Sequence, residues 1–124
     1  MENIENTETI ERVKKFNIGE KTFTVNFPNV GQMIDIESMK QALTNNKYGA
    51  MAASGVLTAY IILDAVDAIS FFKVCIPDFA RYYNITNYTD LANEKVREIT
   101  DVYRKEIKPW YTKILRSLTE VVDE

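Results

Sequence analysis

The sequence predicts an α+β fold that is mostly α-helical, with an N-terminal β-hairpin followed by four to five helices in one compact domain over residues 13–124. Three observations predict it. Apolar residues alternate with period two between Val13 and Phe27. They recur at helical spacing from Tyr88 to the C-terminal end. Turn signals at Pro28-Asn29, Thr44–Lys47 and Pro77-Asp78 cut the chain between these stretches. A chain of 124 residues, 46% hydrophobic and 27% charged, fits one domain whose core needs neither disulfides nor metals.

Residues 1–12 read as a polar acidic leader. In the hairpin at 13–27, Phe16 and Ile18 share one face of the first strand, and Phe23, Val25 and Phe27 share one face of the second. Gly19-Glu20-Lys21 reads as the connection. A two-stranded hairpin is marginal alone, so its apolar face must be covered by a helix or another chain. Asn29 is placed to cap a helix over about 30–43, where Met33, Ile36, Met39 or Lys40, and Leu43 recur at steps of three and four.

From Ala50 to Ile76 the chain is apolar nearly all round, which predicts a helix in the middle of the domain or in an interface. Gly55 marks its true start or a break within it. Pro77 ends it, and a short helical turn is expected over 78–83. Asn87 or Thr89 can cap the last segment, read as helices over about 89–107 and 109–122. Leu91, Val96, Ile99, Tyr103, Ile107, Trp110, Ile114, Leu118 and Val122 keep one phase across Pro109. That continuity predicts two helices meeting at a kink.

Composition excludes several kinds of chemistry as the basis of function. The chain has no histidine and one cysteine. Cys75 lies in the apolar run Phe71–Ile76, and no histidine is available to activate it, so it reads as a packing thiol suited to a reducing compartment. The net charge of −3 resides in residues 1–12, where four glutamates oppose one arginine. The remaining 14 acidic and 14 basic side chains cancel. A neutral body argues against nucleic-acid binding, because that needs a basic field to displace counterions. The uncharged run Tyr48–Leu63 is shorter than the ~20 residues of a membrane-spanning helix.

Asp64 and Asp67, three apart, share a helix face. They could form a metal or acid–base pair, but the expected reading is a solvated strip, since no third ligand stands nearby in sequence. Lys95, Arg97, Arg104, Lys105, Lys108, Lys113 and Arg116, interleaved with Glu98, Asp101 and Glu106, read as a mixed solvent face with intrahelical pairs. Nothing here implies a catalytic residue, a metal or a cofactor, and the expectation is that the chain is not an enzyme.

Phe23–Pro28, then Val30-Gly31-Gln32, Ile34-Asp35-Ile36-Glu37 with Lys40, Leu43-Thr44 and Lys47-Tyr48 follow one another in a recognisable order. Together with Ile76-Pro77-Asp78 and Lys108-Pro109-Trp110-Tyr111, this stretch resembles the tail assembly chaperones of tailed bacteriophages over residues 13–115. The resemblance implies a non-enzymatic protein that coats the helical tape measure protein, keeps its apolar surface soluble, helps recruit tail tube subunits, and leaves before the tail is finished. It implies the cytoplasm of an infected bacterium as the setting, and a short form ending near Val121–Glu124 beside a frameshifted longer one. On this reading Met33, Ile36, Tyr103, Trp110 and Ile114 are the expected partner contacts. The main alternative is a permanent virion component, such as a neck, connector or tail-terminator ring subunit, built as a homo-oligomer.

Overall fold

The computed structural model describes residues 11–76, 79 and 94–119. Strands β1 (Val13–Ile18) and β2 (Lys21–Asn26) form a two-stranded antiparallel sheet, with Val13 opposite Asn26 and Ile18 opposite Lys21. The connection is therefore two residues, Gly19-Glu20, and not the three expected. Gly19 takes φ +62°, a left-handed value that a side chain would resist, and this lets the chain reverse so tightly. Phe16, Ile18, Phe23 and Val25 all point to one buried face, as the alternation requires. Phe16 and Phe23 are direct cross-strand partners with ring centroids 5.7 Å apart.

Helix α1 (Val30–Leu43) starts from a capping box. The Asn29 side chain accepts from the Gln32 backbone N–H at 2.8 Å, and the Gln32 side chain accepts from the Asn29 N–H at 2.9 Å. Thr44 closes α1 by donating its hydroxyl to the Lys40 carbonyl at 2.8 Å. Asn45 and Asn46 then take φ values of 54° and 63°, which asparagine tolerates better than most residues.

The long apolar stretch is two helices, α2 (Tyr48–Ser54) and α3 (Leu57–Cys75), not one helix over 50–76. Gly55 adopts φ +73° as the left-handed cap of α2 and turns the chain before Val56. The second half of α3 is the centre of the domain: Ala65, Val66, Ala68, Ile69, Phe71 and Phe72 are all buried. Phe72 touches both neighbouring layers, with Phe16 of the sheet at 5.6 Å and Phe79 stacked at 4.8 Å.

The expected turn at 78–83 lies outside the described residues apart from Phe79, which is helical and buried. Helix α4 (Glu94–Val102) buries Val96 and Ile99 against α3 and β1. It runs into a π-helical turn over Tyr103–Ile107, then into α5 (Lys108–Thr119). Pro109 has no N–H for the Lys105 carbonyl, and its ring would crowd that carbonyl in a regular α-helix. The wider turn just before it answers this: the Lys108 N–H bonds the Tyr103 carbonyl, five residues back. Tyr103, Ile107 and Ile114 consequently all stay on the buried side. Trp110 fastens α5 to the start of the hairpin, its indole N–H donating to the Glu11 carbonyl at 2.8 Å while its ring meets Phe27 edge-on at 5.9 Å.

Candidate functional site

The surface that departs most from an ordinary solvated one lies where α2 folds back beside the start of α3. Tyr48 at the head of α2 reaches the middle of α3, and its hydroxyl donates to Asp67 Oδ1 at 2.6 Å. Lys40 on α1 completes this corner, with its ammonium 3.7 Å from the same carboxylate oxygen, 3.0 Å from Glu37, and 5.2 Å from the Tyr48 ring centre. The helical hairpin is thus pinned at its base by a polar cluster. Its tip carries no charged residue from Tyr48 to Leu63.

Among the described residues nothing covers that tip. Val56, Leu57, Tyr60 and Ile61 are large, apolar and exposed, with Leu57 at 71%. Ala50, Ala52 and Ala53 of α2 are exposed too. Scattered exposed apolar side chains are ordinary, but a contiguous group rimmed by polar residues marks an interaction site. The ridge continues into a groove of about 690 Å³ between α3 and α4, lined by Ile61 and Asp64 on one side and by Arg97, Thr100, Asp101 and Arg104 on the other. Arg104 bridges the groove floor, 3.3 Å from Asp64 and 3.0 Å from Asp101. Lys105 also reaches Asp101, at 3.1 Å, and the two cations hold that exposed carboxyl below its ordinary range.

The five residues expected to touch a partner are not brought together. Ile36, Tyr103 and Ile114 are buried in the core and cannot meet another chain. Their helical periodicity was a core signal, because the hairpin and α3 occupy the faces they point to. Trp110 is half-buried with its N–H already bonded, and Met33 is half-buried on α1. The residues that sequence reasoning missed are Leu57, Tyr60 and Ile61, which it placed inside a central helix. The available signal was Gly55: a left-handed cap there ends α2 and makes Leu57 the first residue of a new helix, not an interior one.

The reading of Asp64 and Asp67 as a solvated strip also needs correction. The Asp67 side chain is only 13% exposed and is a tertiary anchor, while Asp64 is the Arg104 partner. Burial raises the Asp67 carboxyl above its ordinary value; the Tyr48 hydrogen bond and the charges of Lys40 and Lys108 oppose that shift, and Asp64 adds to it. Folded Asp67 therefore holds its proton to higher pH than unfolded Asp67. Between those two pKa values folding takes up a proton, so this contribution to stability falls as pH rises. Asp67→Asn removes the titration. The stability of the wild type relative to Asp67→Asn should rise as pH is lowered from neutral into the ordinary carboxylate range, read from urea midpoints. Parallel pH profiles would show that Asp67 is solvated after all.

Burial pushes the Cys75 thiol up to about 12, the value of an unreactive packing thiol. Among the described residues no group of three or more His, Cys, Asp or Glu side chains could hold a metal ion, and no helix is long and apolar enough to cross a membrane. No family model, curated protein or solved structure matches this chain. The fold and site together define a small, mostly helical α+β domain that presents an uncharged helical tip.

Proposed function

We propose that this chain is a non-enzymatic tail assembly chaperone of a tailed bacteriophage, which holds the tape measure protein soluble until the tube is built. The observation that carries the reading is the exposed ridge of Val56, Leu57, Tyr60 and Ile61, continuous with the α3–α4 groove. An amphipathic client helix lays apolar residues spaced three and four apart into such a surface. Leu57, Tyr60 and Ile61 have that same spacing and offer the matching ridge. The polar flank of Asp64, Asp101 and Arg104 would keep the contact in register without making it permanent, since exposed ion pairs contribute only about 0–1 kcal/mol each.

The test is co-expression with the tape measure protein of the same genome, scoring the soluble fraction of the client. Wild type should keep it in solution, and Leu57→Glu combined with Ile61→Glu should let it precipitate while the circular dichroism of the chaperone is unchanged. Client solubility that is indifferent to both substitutions would remove the ridge from the mechanism. Retention of the chain in finished particles at fixed stoichiometry would instead favour a permanent virion component.

A further inference from the structure

We propose that the acidic stretch of residues 1–10 docks back onto the cationic side of α5 and holds that face against other acidic chains. Among the described helices α5 alone carries charges of a single positive sign: Lys108, Lys113 and Arg116, with no Asp or Glu from Lys108 to Thr119. Cations elsewhere are answered within the domain: Lys40 by Glu37, Lys14 by Glu106, and Arg104 and Lys105 by Asp101. Lys113 and Arg116 are exposed, and among the described residues neither has a carboxylate within ion-pair distance. Residues 1–10 hold the complementary charge, Glu2, Glu5 and Glu8, with no Lys or Arg.

The point of attachment selects this helix. The Trp110 indole N–H donates to the Glu11 carbonyl at 2.8 Å, so the chain leaves the fold at the first turn of α5. Arg12 fixes the same exit: its guanidinium lies 5.7 Å over the Phe27 ring, and its carbonyl accepts from the Phe27 N–H at 2.8 Å. Lys113 and Arg116 follow Trp110 in steps of three along one side of α5, about 4.5 and about 9 Å further down its axis. Three residues of extended chain span about 10 Å, so Glu8 reaches either cation from Glu11, and Glu5 and Glu2 reach them with slack.

Exposed ion pairs are weak and salt-screened, so the contact is reversible. An acidic segment of another chain would have to displace it to reach α5. The contact is independent of the client ridge at Leu57 and Ile61.

The test is paramagnetic broadening of amide signals in the full chain alone, with a nitroxide on Asn3→Cys in a Cys75→Ala background. At about 0.01 M salt, where the Debye length is about 30 Å, Lys113 and Arg116 should be broadened. At about 1 M salt, where it is about 3 Å, their signals should recover. They should also recover at low salt when Glu2, Glu5 and Glu8 are all changed to Gln, a variant that alters no described residue. Lys113→Glu combined with Arg116→Glu should do the same with unchanged circular dichroism. Broadening that persists through the glutamine changes is tether proximity alone and overturns the proposal. So does the absence of broadening on α5, or broadening that grows with protein concentration, which would assign the face to a second copy.

Discussion

Phe72→Ala should destabilise the domain by about 3–5 kcal/mol, the usual cost of deleting a buried aromatic side chain. Phe72 is wholly buried. Its ring lies 4.8 Å from Phe79, 5.6 Å from Phe16, 5.7 Å from Phe71 and 6.2 Å from Tyr103. It therefore joins the hairpin, α3, the segment beyond α3 and the π-helical turn. Among the described residues the hairpin has no second sheet to lean on, and its apolar face is covered by α3, through Phe72 against Phe16, and by α4. Removing the ring leaves a cavity where these elements meet, and none of them can close it without losing another contact. A domain of this size is stable by only about 5–15 kcal/mol, so the variant should be partly unfolded at ordinary growth temperatures. Urea unfolding followed by circular dichroism gives the number. A cost below about 1 kcal/mol would mean that the core is not centred on this ring.

Ile36→Ala should cost about 2–5 kcal/mol, whereas Ile34→Ala, two residues earlier on the same helix, should change stability by no more than about 0.5 kcal/mol. Ile36 is 2% exposed and Ile34 is 59% exposed. Residues two apart on a helix point in nearly opposite directions, so only one of the pair can face the core. The same comparison separates a packing residue from a partner contact. If Ile36 met a client, its truncation would spare stability and weaken binding; buried as it is, it should do the reverse. Paired urea midpoints for the two variants decide this, and equal midpoints would mean that α1 is rotated from the orientation described.

Much of the local structure was legible from the chain. Alternation put Phe16, Ile18, Phe23 and Val25 on one face, and that face is buried. Asn29 announced the cap of α1, because a short polar acceptor before an apolar-periodic run can satisfy the first free N–H groups of a helix; the reciprocal Gln32 bond that makes it a capping box came only with the structure. The persistence of phase across Pro109 predicted two helices meeting at a kink; α4 and α5 do meet there, through a local adjustment of the helix. The form of that adjustment, a π-helical turn, was not legible: it depends on Tyr103 and Ile107 having core partners to hold them inward. The candidate site was mostly hidden. Periodicity reports that a residue is apolar on a repeating face, and it says nothing of what lies opposite. Ile36, Tyr103 and Ile114 have the pattern of a binding stripe and are core; Leu57, Tyr60 and Ile61 have the pattern of core and are exposed.

By itself the sequence determined most elements of this protein: a hairpin turned at Gly19, a capped helix after Asn29, and a long helical end that keeps one phase across a proline; it left open whether Gly55 starts or breaks the apolar helix. These follow from backbone preferences and side-chain spacing, which act within a few residues of each other. Only the tertiary structure decided which half of the apolar stretch became the core. The last turns of α3 lie against the hairpin and α4, and the first turns extend past them with α2. Burial is a property of what stands across from a side chain, set by contacts far apart in the chain. The same apolar character that holds the domain together at Phe72 is therefore left exposed at Leu57.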